Sequence, residues 1–169
     1  MLRILVAVDG SELSLDAVRH ALQLVDAGLK ASLVLGHVQE EASLLELATQ
    51  GADAVAQASL EAAKHLTRPA ERMVREAGLE CETEVALGSA ASALCDMAEA
   101  QGCDLIIIGA RGVGGFRGAL LGSVSQAVVA QSNLPVTVVR HAESETESGE
   151  TDAAASASAS ESEPEPEPG

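Results

Sequence analysis

The chain has 169 residues and a net charge of −16, long enough for one domain with an extension. That acidity argues against nucleic-acid partners and anionic membrane surfaces. Phe116 is the one aromatic residue, so no stacking platform for single strands exists, and the core must be built from Val, Leu, Ile and Ala.

Arg3 to Val8 (RILVAV) is an apolar run without alternation and reads as a strand buried on both faces, the mark of a parallel sheet. Asp9-Gly10-Ser11 ends it, too soon for a signal peptide. Leu15, Val18, Ala21, Leu22 and Val25 follow at helical spacing between Leu13 and Ala27, and Gly28 stops that helix. Ala31 to Val38 is the second strand. A polar, alanine-rich stretch runs from Glu40 to Gly78. Within it Ala52 to His65 is helical by propensity, Pro69 is expected to break or kink the helix, and Thr67 to cap a second piece ending at Ala77.

Glu80 to Ala86 alternates, as a strand at a sheet edge should. Gly88-Ser89 leads into a helix to Ala100, ended by Gly102. Leu105 to Ile108 is another fully apolar strand, closed by Gly109 and a loop holding Gly112, Gly114, Gly115 and Gly118. A helix from about Val124 to Gln131 follows, with Ser123 as its expected N-cap. Val136 to Val139 is a fifth strand after Pro135. Alternation of five strands with four helices predicts an α/β fold, a doubly wound five-stranded parallel sheet. Ligands of such sheets sit beyond the carboxyl ends of the strands where strand order reverses. If the first and fourth strands are neighbours there, Asp9-Gly10-Ser11 and the glycine loop face one crevice.

Beyond His141 the composition changes. Residues 142–169 hold nine acidic side chains, no basic one and no large apolar one, which predicts a disordered tail and a domain covering residues 1–141. Cys81, Cys95 and Cys103 have no Cys-x2-Cys spacing and read as structural thiols of a reducing compartment. No apolar run approaches the roughly 18 residues of a membrane span, so a soluble cytoplasmic protein is expected. His20, His37, His65 and His141 are scattered without metal-ligand spacing and read as surface or core residues.

Strand, glycine loop and helix start together form a place where backbone amides meet an anion. The loop is neither of two familiar phosphate motifs. It contains no lysine, as a Walker A loop requires, and Arg117 stands where a dinucleotide fingerprint from Gly112 needs glycine. Each glycine could equally serve a turn with positive φ. Written out, the spacing is Gly109-x2-Gly112-x9-Gly122-Ser123.

This spacing resembles the nucleotide-binding pattern of the universal stress protein family, whose ATP-binding members carry Gly-x2-Gly-x9-Gly-[Ser/Thr]. Asp9-Gly10-Ser11, the strand LIIIGARG and the ending NLPVTVVR also look like that family, from Met1 to Arg140. The resemblance implies a Rossmann-like, adenine nucleotide alpha hydrolase-like sheet with strand order 3-2-1-4-5. It also implies ATP or another adenine nucleotide as ligand, accompanied by Mg²⁺ held through the phosphates. Asp9 and Gly10 would face the adenosine, with Val8 and Ser11 beside them in the nucleotide site, and Val38 and Ile108 would pack the base. Gly109 and Gly112 would let the backbone approach ribose and phosphates, with Arg111 and Arg117 as nearby charges, and Gly122, Ser123, Val124 and Ser125 would offer amides and hydroxyls to the phosphates. The fifth strand would pair across a homodimer, covering an apolar edge.

The implied function is a nucleotide-dependent stress-response sensor or signalling module with slow or no hydrolysis. Two alternatives stand beside it: a slow ATPase or self-phosphorylating protein using Ser123 or Ser125, and an interaction protein that recruits partners through the acidic tail. No histidine stands at readable spacing from Ser11 to make a catalytic triad. A phospho-receiver reading fails because the third strand ends in Ala86-Leu87-Gly88, without an acceptor aspartate.

Overall fold

The computed structural model describes residues 1–39, 51–111 and 121–140. The elements alternate as β1 (Leu2–Ala7), α1 (Glu12–Asp26), β2 (Ala31–Gln39), α2 (Ala52–Glu76), β3 (Cys81–Leu87), α3 (Ala90–Ala100), β4 (Leu105–Gly109), α4 (Ser123–Gln131) and β5 (Val136–Val139). All five strands are parallel, in the order β3-β2-β1-β4-β5. β1 therefore has β2 on one side and β4 on the other, with Ile4 opposite both Leu33 and Leu105. Strand order reverses at that place.

Successive side chains of a strand point to opposite faces, and here both faces are covered. Ile4, Val6 and Val8 pack with Leu33, Leu35 and Ile107 against Ala17, Val18 and Ala21 of α1 and Ala70 and Val74 of α2. Leu5 and Ala7 turn the other way, with Val34, Ile106 and Ile108, onto Leu94, Cys95, Met97 and Ala98 of α3 and Val128 of α4. That explains why the central strands lack alternation. At the sheet edge, Glu82, Thr83, Val85 and Leu87 of β3 are exposed while Cys81, Glu84 and Ala86 are half-buried.

Three local expectations are corrected. Pro69 neither breaks α2 nor divides it, since the helix runs unbroken from Ala52 to Glu76. A proline inside a helix costs about 3 kcal/mol. Here Ala63, Thr67, Ala70 and Val74 form one fully buried stripe spanning Pro69, and packing that stripe on the sheet offsets the cost. Thr67 caps nothing. Its hydroxyl donates to Glu71 Oε1 (3.1 Å), which also accepts from Thr83 Oγ1 (2.9 Å).

The N-cap of α4 is Gly122, with Ser123 already helical and no side-chain cap bond. Gly122 is extended (φ −75°, ψ 164°), so a positive φ is not why glycine stands there. Its carbonyl accepts from Gln126 N, and its own amide donates to Ala110 O at 2.6 Å.

The expected tail at 142–169, His141, and the loop residues Gly112, Gly114, Gly115, Phe116, Arg117 and Gly118 lie outside the described residues. So does the stretch 40–50.

Candidate functional site

A hollow of about 270 Å³ opens beyond the carboxyl ends of β2, β1 and β4. Its walls follow the strand order. Gly36 and Val38 come from β2, Ala7, Val8 and Asp9 from the end of β1, and Ile108, Gly109 and Arg111 from β4 and its exit. The starts of three helices close it: Ser14 in α1, Ala90 and Leu94 in α3, and Gly122, Ser123, Val124 and Ser125 at α4.

Of the residues singled out in the sequence, Val8, Asp9, Val38, Ile108, Gly109, Arg111, Gly122, Ser123, Val124 and Ser125 thus share one hollow. Gly10 and Ser11 stand beside it without lining it. Gly10 has φ 82°, and a Cβ there would meet Leu66 Cδ2 at 2.6 Å, so its glycine serves the turn and the contact with α2. Ser11 is the N-cap of α1. Its hydroxyl donates to Asp9 Oδ1 (2.6 Å) and accepts from Ser14 N (3.1 Å), while Ser11 N also donates to Asp9 Oδ1 (2.9 Å). Gly112 lies outside the described residues.

Ala7, Ser14, Gly36, Ala90 and Leu94 line the hollow without having been singled out in the sequence. Gly36 carried the only local signal, a glycine inside a buried strand, where another group approaches the backbone closely. A Cβ there would meet Met97 Sδ at 2.9 Å and Leu5 Cδ1 at 3.0 Å.

The side near α4 carries the kinds of donor that an anion would need. The amides of Ser123, Val124 and Ser125 belong to the first helical turn and find no intrahelical acceptor. Among the described residues no other acceptor takes them. The helix dipole adds partial positive charge at this end, and the Arg111 side chain comes from the facing exit of β4. The amide of Gly122 is already used. The Ser125 hydroxyl is also turned into the protein, donating to Ala110 O (2.8 Å) and Gly122 O (3.0 Å), so this residue contributes an amide and not a hydroxyl. Ser123 is exposed.

Between the β2 wall and the start of α4 the lining is apolar, formed by Val38, Leu94, Ala90 and Ile108, with Asp9 at the end of the central strand. Such a hollow takes a ligand with a flat, largely apolar part, hydroxyl or amine donors for a carboxylate, and an anionic group. Among the described residues, no group of three or more His, Cys, Asp or Glu is placed to hold a metal ion. No helix among them is long and apolar enough to cross a membrane.

Cys81, Cys95 and Cys103 are free thiols that do not line the hollow, the last two buried. Burial pushes all three above the usual thiol range of about 9. Their folded forms hold a proton that the unfolded chain releases. The associated stability is therefore fully present below pH 9 and is lost as pH rises through the higher folded values. The native protein is expected to react with iodoacetamide at pH 7.5 more slowly than after denaturation. Equal rates, followed by mass shift, would contradict this protection.

Comparison with known proteins places these features in a group. The profile described as "Universal stress protein family" matches residues 1–140. Universal stress protein YxiE of Bacillus subtilis is 31% identical over 146 residues, spanning 82% of this chain and 98% of that protein. The solved structure of MJ0577 from Methanocaldococcus jannaschii superposes with a TM-score of 0.73 at 26% identity, over 85% of this chain and 98% of its own. A universal stress protein solved in complex with cAMP superposes with a TM-score of 0.62 at 28% identity, over 82% of this chain and 96% of its own.

Proposed function

This chain belongs to the universal stress protein family, and from that membership we propose that its crevice binds an adenine nucleotide, ATP with Mg²⁺ foremost, and signals through occupancy. The observation that carries the reading is the first turn of α4. Three amides that find no acceptor among the described residues belong to Ser123, Val124 and Ser125, which line the hollow with Arg111 at the carboxyl end of β4, with Asp9 one strand away. The similar protein solved with cAMP supports an adenine nucleotide as the class of ligand.

The residues fit the proposed ligand by chemistry. Val38, Leu94 and Ile108 offer apolar contact to a purine, and Asp9 can accept from ribose hydroxyls. The amides of Ser123, Val124 and Ser125 accommodate phosphate oxygens, and Arg111 adds a full positive charge. Mg²⁺, when bound, would neutralise phosphate charge, and no cluster of protein ligands is assigned to it. Local donors of this kind outweigh the acidic exterior, because charges farther than about 8 Å are screened at physiological salt.

No residue is assigned to hydrolysis. Should phosphoryl transfer occur, exposed Ser123 is the favoured acceptor over Ser125, whose hydroxyl is buried on two carbonyls. The reading also includes a second copy covering β5, a sheet-edge strand whose four residues are all half-buried. Free thiols fit a reducing cytoplasm.

Calorimetric titration of the full chain with Mg-ATP, AMP and cAMP tests the central claim. Saturable binding of Mg-ATP with a Kd of about micromolar order is expected. Absence of binding by any of the three at millimolar concentration would remove the nucleotide assignment. Mass spectrometry of small molecules that co-purify with the protein gives an independent reading of the ligand.

A further inference from the structure

We propose that His37 is a positioning residue for the nucleotide site, holding the β1 end in the direction that presents Asp9. The inference rests on the nucleotide reading of the crevice. His37 sits inside β2 between Gly36 and Val38, both of which line the hollow, and its side chain is only 3% exposed. Regular pairing of β1 with β2 ends at Ala7 opposite Gly36. One more rung follows, Val8 N donating to Gly36 O at 2.8 Å. The next acceptor, the Val8 carbonyl, receives no backbone amide among the described residues. His37 Nδ1 reaches it instead, at 2.8 Å.

A carbonyl oxygen only accepts, so Nδ1 carries a proton in this arrangement whatever the state of Nε2. Nε2 lies 3.2 Å from the side-chain amide of Gln39, which can turn to offer either its oxygen or its nitrogen. Both polar backbone groups of Val8 are therefore tied to β2, one by main chain and one by imidazole. The peptide leaving Val8 is fixed, and with it the direction of Asp9, whose Oδ1 is then held by Ser11. Val8, Asp9 and Val38 become one rigid wall of the crevice. Without the imidazole, the Val8 carbonyl must turn to find another donor, because a buried unpaired carbonyl is costly.

Two polar variants of the full chain separate positioning from mere filling of space. In His37→Asn the short side-chain amide can take the place of Nδ1, whereas in His37→Gln the amide falls nearer the place of Nε2. Mg-ATP affinity by calorimetry is expected to fall about tenfold or more in His37→Gln. His37→Asn should remain within about threefold of the wild type, rescuing the bond to Val8. Equal affinities in the two variants, whether both retained or both lost, would overturn the proposal. Imidazole ¹⁵N spectra of the wild type need no variant to fold. They should report protonated Nδ1 with and without Mg-ATP, and a ring protonated on Nε2 alone would equally overturn it. If the wild type takes up no Mg-ATP, the parent reading has failed, and this one falls with it.

Discussion

Replacing Gly122 with aspartate is expected to abolish Mg-ATP binding while leaving the fold in place. Gly122 is the N-cap of α4 and already has the extended backbone that an N-cap needs. Aspartate is among the preferred residues there, because its carboxylate accepts from amides of the first turn. Those are the amides of Val124 and Ser125 that the proposed site offers to phosphate. The variant would thus fill the anion site with its own anion. A unit negative charge about 4 Å from a phosphate adds roughly 4 kcal/mol of repulsion near a protein surface, so a loss of roughly a hundredfold or more in affinity is expected.

The fold should tolerate the change. A Cβ at this position meets Arg111 Cα at 3.3 Å and Ala110 O at 3.4 Å, a tight fit that the favourable cap counters. Thermal midpoint should move by only a few degrees, and Gly122→Ala, which adds the Cβ without the charge, should weaken Mg-ATP far less. Wild-type affinity in Gly122→Asp, measured by the same titration, would place the phosphates elsewhere.

The contrast between what was readable in the sequence and what was not follows the range of the contacts involved. The parallel sheet was legible because burial on both faces leaves an unbroken apolar run, as in Ile4 to Val8 and Leu105 to Ile108. The crevice was legible because Asp9 and Gly109 stand at strand ends, and the topology makes β1 and β4 neighbours. Boundaries slipped by one residue at α4, where Gly122 rather than Ser123 is the cap. At Pro69 the local rule was overruled by a buried stripe that only the sheet beneath it makes valuable. The tertiary contacts of Gly10, Gly36 and His37 involve Leu66, Met97 and Val8, each distant in the chain, and no local pattern announces such partners. Leu94 and Ala90 enter the site for the same reason, carried there by the packing of α3 on β2 and β1.

Gly109 is where that non-local logic has its largest expected effect on stability. The spacing motif gives this glycine to the ligand, and it does line the hollow. The tighter constraint comes from α1. A Cβ on Gly109 would lie 2.7 Å from Leu13 O and 2.9 Å from Leu13 C. These are backbone atoms in the first turn of a helix, without the freedom of a side-chain tip. Gly109→Ala therefore has to push the start of α1 outward or bend β4 at its last residue.

Overpacking of this kind costs typically about 1–3 kcal/mol, and a backbone obstacle places Gly109→Ala toward the upper end. For a domain of this size that corresponds to a fall in Tm of roughly 5–12 °C. The damage should extend to binding, because Ser11 and Ser14, at the start of that helix, hold Asp9 and line the hollow. Chemical denaturation should give a lower midpoint with an unchanged m-value, and the folded variant should bind Mg-ATP more weakly than the wild type. Gly122→Ala, whose nearest backbone neighbours stand at 3.3 Å and beyond, serves as the matched control and should lose much less stability. Equal stability of Gly109→Ala and the wild type would mean that α1 yields freely at Leu13, and the rigid seating of helix on strand inferred here would have to be abandoned.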